Sequence, residues 1–205
     1  MKEIRVPYCE ELDFKVCAEA DIKEFGWRKN DYMPETMFRL CWNHSGLAVE
    51  AVSYETRLRQ EAETDGKDVW HDSCMEFFFG PVEAEHRYIN LEVNPKGTIV
   101  MGFGGGKTGR IRLEETCKPR LALSTQIREK EGLWLVRYMI SFELLGELFE
   151  LPPNEEYFRE LQANFYKCGE MTEFPHYGMW SRVESEAPDF HRPEFFGRLK
   201  LVDAL

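Results

Sequence analysis

The chain has 205 residues, a formal net charge of −11, and hydrophobic and aromatic contents of 43% and 14%. This composition indicates one globular domain over residues 1–205 and excludes a disordered chain. The negative charge argues against nucleic acids and anionic membranes as partners, because both attract positively charged surfaces. No run approaches the ~20 apolar residues of a membrane span, and charges stand where a signal peptide needs apolar residues, so we expect a cytoplasmic protein.

Short runs of strand-forming residues, bounded by Gly, Pro, Asn or charged clusters, recur along the chain and predict about ten strands. In chain order they are 36–42, 47–54, 74–79, 87–93, 98–103, 121–128, 134–142, 161–168, 177–183 and 198–202. Hairpin turns are expected at 43–46 and 94–97, and one or two helical turns at 142–149 and 154–160. This pattern predicts an all-β fold, an antiparallel β-sandwich, with a closed barrel as the alternative.

The glycine-rich segment GFGGGKTGR, from Gly102 to Arg110, ends like a nucleotide-binding phosphate loop but lacks the rest of that motif. The opening glycine falls on Met101, and no helical pattern follows Thr108. We expect a loop between strands at the rim of a binding site. There Lys107 and Arg110 would meet hydroxyls or an acidic group of a ligand, or remain ordinary solvated cations.

Residue types also argue against several catalytic and metal sites. The six cysteines show no C-x-x-C or zinc spacing, which favours reduced, buried thiols. The five histidines show no metal-binding spacing, and no G-x-S-x-G elbow is present.

Alternation along the predicted strands places hydrogen-bonding side chains on one face of a sheet. In the segment 86–94, the polar face carries His86, Tyr88, Asn90, Glu92 and Asn94. A later strand places Gln162, Asn164 and Tyr166 together, and an earlier one carries Glu76. Such a face is either wet, as in many antiparallel sheets, or a binding surface for a neutral hydroxylated ligand.

Two aromatic residues, Trp70 and Phe190, stand in polar loop segments, each shortly before a strand. A loop aromatic either folds back over the edge of the core or forms a stacking platform. Sugars suit such a platform because their C–H faces lie flat on aromatic rings while their hydroxyls need polar partners.

Four segments together resemble the family 9 carbohydrate-binding modules, and more closely their free-standing, DOMON-related relatives. They are W-x-x-x-x-x-E at 70–76, the strand YINLEVNPKGTI, NFYKCG at 164–169, and the C-terminal W-S followed by PDFHRPEFFGRLKL. The resemblance implies a jelly-roll-like sandwich that holds a mono- or disaccharide end between two aromatic rings.

Carried over by position, the resemblance implies that Trp70 and Phe190 stack on the sugar. Polar partners are expected among Glu76, Tyr88, Asn164, His191, Arg192 and Arg110. Glu92 and Ala187 depart from the family pattern, in which an arginine and an asparagine stand at these positions. Family members often hold structural calcium; the chain has acidic residues such as Asp65 and Asp72 but no calcium-loop motif.

The predicted function is therefore non-catalytic binding of a carbohydrate. A second hypothesis is a carbohydrate-active hydrolase or lyase, because Glu76 and Glu92 would face each other on neighbouring strands. A third is a module that docks another protein through the same aromatic loops.

Overall fold

The structure is a computed structural model that describes residues 1–82, 84 and 86–203. Within these ranges the strands are β1 (Glu3–Pro7), β2 (Ala18–Asp21), β3 (Glu24–Phe25), β4 (Thr36–Asn43), β5 (Gly46–Ser53), β6 (Cys74–Pro81), β7 (Tyr88–Val93), β8 (Ile99–Gly104), β9 (Ile111–Arg112), β10 (Ser124–Arg128), β11 (Leu133–Ser141), β12 (Glu160–Gly169), β13 (His176–Met179) and β14 (Gly197–Val202). The α-helices are α1 (Glu114–Cys117) and α2 (Phe142–Phe149). None of the helices in the described ranges has the length and hydropathy of a membrane span.

Two sheets pack face to face and confirm the predicted β-sandwich. The first sheet has the order β1-β14-β12-β6-β7-β8-β9, with β13 pairing with both β12 and β3. The second has the order β10-β11-β5-β4-β2. The pairing of β1 with β14 is parallel, whereas the other strand pairs of the described chain run antiparallel.

Aromatic side chains fill the space between the sheets. Phe165 of β12 lies 4.7 Å from Phe38 of β4, measured between ring centroids, and 4.6 Å from Phe77 of β6. All three rings are fully buried. Because burial of each such side chain stabilises the fold by roughly 1.5–3 kcal/mol, this cluster fixes the two sheets against each other.

A second apolar cluster covers the opposite face of the first sheet. Phe78, Tyr88 and Tyr166 point away from the main core and pack under Phe190 and Phe196 from the C-terminal segment. The alternation of residues read from the sequence is therefore present, but the polar face is covered by chain rather than wet.

The ten predicted strands all have counterparts, although residues 121–123 and 180–183 lie outside theirs. Both predicted turns are present, with Gly46 opening β5 and Gly97 donating to the carbonyl of Asn94. The helix at 142–149 is α2, while residues 155–158 form a 3-10 turn. The sequence pattern missed β1, β2, β3 and β9. These strands are short, with only two residues each in β3 and β9, and β1 and β3 pair with strands distant in the chain.

The six cysteines are free thiols. Four are buried, whereas Cys9 and Cys17 are partly exposed, so the prediction of reduced, buried thiols holds fully for four. Burial raises the pKa of Cys74 and of Cys168 well above the usual range, which keeps both protonated and unreactive.

Candidate functional site

A cavity of about 390 Å³ opens on the outer face of the first sheet. Strands β6, β7, β8 and β12 form its floor, and the glycine-rich loop and the segment 188–191 form its walls. Its volume falls within the ~300–1,000 Å³ typical of small-molecule sites. The polar face predicted from strand alternation thus becomes the bottom of a pocket.

Trp70 and Phe190 both line this cavity, although they come from distant parts of the chain. Trp70 lies in a 3-10 turn at Val69–His71 and is partly exposed. Phe190 is only 8% exposed and stacks on Tyr166, with ring centroids 4.0 Å apart. One face of Phe190 is therefore already covered, so Trp70 is the more accessible platform.

Glu76 and Glu92 are directly opposite residues of the antiparallel strands β6 and β7. They are 2% and 5% exposed, and both line the cavity. Burial, with repulsion from Glu92 and Glu170, raises the pKa of Glu76 well above its usual range. Burial also raises the pKa of Glu92 to about 7, opposed by a hydrogen bond from Asn90. The pair can therefore hold or release a proton near neutral pH.

Arg110 lines the cavity, but its donors are used within the protein. Nε donates to Asn90 Oδ1 at 2.8 Å, and the terminal nitrogens donate to the carbonyl oxygens of Tyr88, Gly102, Gly104 and Gly106. These bonds use all five N–H groups of a guanidinium. In this structure Arg110 therefore holds the glycine-rich loop on the sheet.

This arrangement also explains the glycines of the loop. A Cβ at Gly102 would lie 2.8 Å from Asn90 Oδ1 and 3.2 Å from Arg110 Nε. Gly104 has a φ of 159° and Gly109 a φ of 70°. The glycines make room for the guanidinium and turn the backbone around it, rather than cradling a phosphate.

Lys107, the other cation expected at the rim, is 61% exposed at its side chain. Its Nζ lies 3.6 Å from the carboxylate of Asp189, which precedes Phe190. This ion pair joins the glycine-rich loop to the C-terminal segment across the cavity. The pairing brings together two walls that the sequence separates by more than 80 residues.

Three predicted site residues do not line the cavity. Asn164 is fully buried, and its side chain bonds the backbone of Ser181 and the amide of Phe165. Arg192 pairs with Glu194 on the surface. Neither Asn164 nor Arg192 is therefore placed at the cavity, and the side chain of Asn164 is already hydrogen-bonded within the protein.

Tyr88 is the third of these residues, and it reaches the site only through His191. Tyr88 is fully buried, and its hydroxyl is hydrogen-bonded to His191 Nδ1 at 2.8 Å. His191 does line the cavity, and burial beside Arg110 lowers its pKa to about 4. The imidazole is therefore neutral at physiological pH, and Tyr88 orients it.

Further cavity residues escaped prediction from the sequence. They are Phe78, Asn90, Val100, Gly102, Arg112, Cys168, Glu170, Tyr177, Pro188 and Asp189. Lys107 and Glu92, which the sequence indicated as candidates, line the cavity as well. Strand alternation had placed Asn90 and Glu92 on the correct face. Asp189 could have been predicted from its position next to Phe190, whereas no local sequence feature indicates Glu170 or Tyr177.

The acidic residues considered for calcium do not fit a calcium site. Asp72 is fully buried and accepts hydrogen bonds from Arg59, Asn94 and the amides of Glu61 and Ala62. Asp65 accepts from Lys118 and from the amide of Ile99. Both carboxylates are thus neutralised by protein donors, whereas calcium needs several free oxygens.

A family model for carbohydrate-binding family 9 matches residues 7–201. The chain belongs to carbohydrate-binding family 9. No curated protein sequence matches this family 9 chain. The resemblance read from its motifs is therefore confirmed at the level of the family.

Solved structures share the fold of this family 9 chain. A candidate carbohydrate-binding protein from Bacteroides uniformis is 24% identical, with a TM-score of 0.82, over 98% of this chain and 99% of that one. A family 9 module from Caldicellulosiruptor kristjanssonii, in complex with cellotriose, is 14% identical, with a TM-score of 0.68, over 100% and 95%. A structure of a family 9 module from the same organism in complex with glucose is 15% identical, with a TM-score of 0.67, over 100% of this chain and 97% of that one.

Proposed function

We propose that this family 9 chain binds a carbohydrate, a mono- or disaccharide or a chain end, in the cavity beneath segment 188–191, without catalysing a reaction. The observation that carries the proposal is the convergence of Trp70, Phe190 and the buried Glu76 on one cavity. Two family 9 structures of the same fold hold cellotriose and glucose, which supports a sugar as the ligand.

Each part of the cavity has a role that sugar chemistry explains. Trp70 offers a partly exposed indole face to the C–H surface of a sugar ring, and Phe190 closes the slot from the other chain segment. Glu76 accepts hydrogen bonds from hydroxyls, and the neutral His191 adds one further polar contact. A single shallow site of this kind gives a Kd of roughly micromolar to millimolar, or about −8 to −4 kcal/mol.

Isothermal titration calorimetry with a panel of mono- and disaccharides tests the proposal. We expect heat with at least one sugar and a loss of affinity of about tenfold or more in Trp70→Ala. Tyr157→Ala is the matched control, because Tyr157 is 43% exposed and lies outside the cavity. No heat with any sugar, or unchanged affinity in Trp70→Ala, contradicts the proposal.

Glycoside hydrolysis is a second candidate, favoured by the facing carboxyl groups of Glu76 and Glu92. One oxygen from each lies within 4.8 Å of the other, close to the separation of about 5–5.5 Å used by retaining enzymes. The pKa of Glu92, about 7, suits a general acid. Turnover of an aryl glycoside that disappears in Glu76→Gln would establish this activity, and no turnover by the wild-type protein would reject it.

A further inference from the structure

The cations that line the cavity each have partners within the protein. Arg110 uses its five donors on Asn90 and four carbonyl oxygens. Arg112 pairs with Glu114 at 2.6 Å, and Lys107 with Asp189 at 3.6 Å. None of these three cations therefore makes an ion pair with Glu76 or Glu92, although the charges of Arg112 and Arg110 still act on Glu92 from a distance and lower its pKa.

The carboxyl groups of the floor, in contrast, lack ion-pair partners. No Lys, Arg or His of the described residues lies within salt-bridge distance of Glu76 or Glu92. Glu92 is only 5% exposed, and its Oε2 atom has no hydrogen-bond partner in the part of the chain that the structure describes. Glu170 lies at the same side of the cavity and repels Glu76.

A buried carboxyl group without a partner keeps its proton, which is why burial raises the pKa of Glu76 and of Glu92, and a cationic ligand that pairs with the group offsets the cost of burying its charge and releases that proton. Carboxylates only accept hydrogen bonds, so the complementary group is a cation with several N–H donors, such as an ammonium. The cavity is far larger than a metal ion and carries aromatic walls, Trp70 and Phe190. An organic ring that bears the ammonium fits both features.

We propose that the cavity prefers an amino sugar, a pyranose with a protonated amine that points at Glu76 and Glu92, over the matching neutral sugar. This inference rests on the proposed function, because Trp70 and Phe190 stack on the sugar ring while Glu76 and Glu92 bind its amine. The ring contact is common to both sugars, so the preference comes from the carboxyl pair.

Calorimetry at neutral pH with matched sugars tests the preference. The pairs are glucosamine against glucose, galactosamine against galactose, and mannosamine against mannose, with N-acetylglucosamine as an uncharged derivative. We expect at least one amine to bind about tenfold or more tightly than its neutral partner and than its acetylated form. Binding should also weaken as salt is added, because an ion pair is screened.

Charge-neutral variants then locate the effect. In Glu92→Gln the ratio of amine to neutral affinity should fall to within about twofold of one, whatever the absolute affinities. Glu76→Gln gives the same readout if Glu92→Gln fails to fold. Glu63→Gln is the matched control, since Glu63 is 76% exposed at its side chain, pairs with Lys96 and lies outside the cavity; it should keep the full ratio.

Three outcomes overturn the inference. The first is a neutral sugar that binds as tightly as its amine, which leaves the proposed function intact. The second is a preference that persists in both glutamine variants. The third is a metal site, because Cys74 Sγ and one oxygen each of Glu76 and Glu92 lie within 4.8 Å of one another. If the protein binds Zn²⁺, loses that binding in Cys74→Ser and shows no preference for amines, the floor is a metal site instead. If no sugar of either kind binds, the proposed function itself fails.

Discussion

Phe190 stacks on Tyr166 with ring centroids 4.0 Å apart and ring planes 11° from parallel. Tyr166 also donates its hydroxyl to the carbonyl of Phe190 at 3.1 Å. The stack ties the C-terminal segment to β12 and closes the second apolar cluster. Phe190 and Trp70 therefore differ: Phe190 is packed into the wall of the cavity, while Trp70 is partly exposed.

Alanine substitutions should separate these roles. We expect Phe190→Ala to lower the free energy of unfolding by about 3 kcal/mol, since it removes a packed aromatic ring and leaves a cavity. Trp70→Ala should lower it by less than about 1 kcal/mol, because its side chain is partly exposed. Urea titrations of both variants measure the difference, and equal losses would contradict it.

Removal of the Arg110 guanidinium should release the glycine-rich loop. Arg110→Ala leaves Asn90 Oδ1 and four carbonyl oxygens without a donor, and it removes the contact with the Tyr88 ring, 4.3 Å away. We expect a loss of about 3 kcal/mol in unfolding free energy, together with faster amide hydrogen exchange in residues 102–110. Exchange is measured by mass spectrometry, with Lys107→Ala as a control on the same loop. Equal exchange in both variants would reject a fastening role.

The contribution of Glu92 to stability should fall as pH rises from about 4.5 to 7. Its pKa in the folded protein is about 7, raised from 4.5 by burial, so the folded state holds the proton that the unfolded state releases. Stability from this group is therefore complete below 4.5 and is lost as pH rises through 7, by on the order of 3 kcal/mol. The pKa of Glu76 is also raised, so its contribution to stability changes with pH in the same direction. The charges of Arg112 and Arg110 act against the rise in the pKa of Glu92.

The measurement is the difference between wild type and Glu92→Gln in urea at several pH values. The difference removes the opposite effect of His191, whose pKa near 4 makes the folded state lose stability on acidification. The free energy of unfolding of Glu92→Gln should increase relative to that of the wild type as pH rises. Parallel curves across the range would show that Glu92 has no raised pKa.

A buried ion pair beneath β12 should also be essential for folding. Lys167 is fully buried, and its Nζ lies 3.1 Å from Glu55 Oε2, while Glu55 also accepts from Trp134 and Ser73. Lys167→Met leaves the buried carboxylate of Glu55 without its cation, and we expect the free energy of unfolding to fall by about 3–5 kcal/mol. The double variant Lys167→Met, Glu55→Gln should recover part of it in thermal unfolding. No recovery would mean that Lys167 acts mainly through packing.

Strand alternation was a reliable guide to the floor of the site. Of the positions at 74–78 and 88–92 that the pattern assigns to one face, Glu76, Phe78, Asn90 and Glu92 line the cavity, since side chains in a strand alternate whatever the rest of the chain does. The facing of Glu76 and Glu92 needed only adjacent strands in register. Asn164 shares that face, yet its amide is occupied by Ser181, which no local pattern indicates.

The sequence by itself determined the sandwich, the family and the polar face of the first sheet, because these depend on hydrophobic period and on motifs local in the chain. Only the tertiary structure decided which polar groups remain free for a ligand. The five donors of Arg110 are used by one loop and two strands, and the oxygens of Asp72 by Arg59 and Asn94. Glu92 Oε2, in contrast, has no hydrogen-bond partner among residues 1–82, 84 and 86–203. Hydrogen bonds and ion pairs join residues far apart in sequence, so which donors and acceptors are satisfied is settled only when the chain has folded.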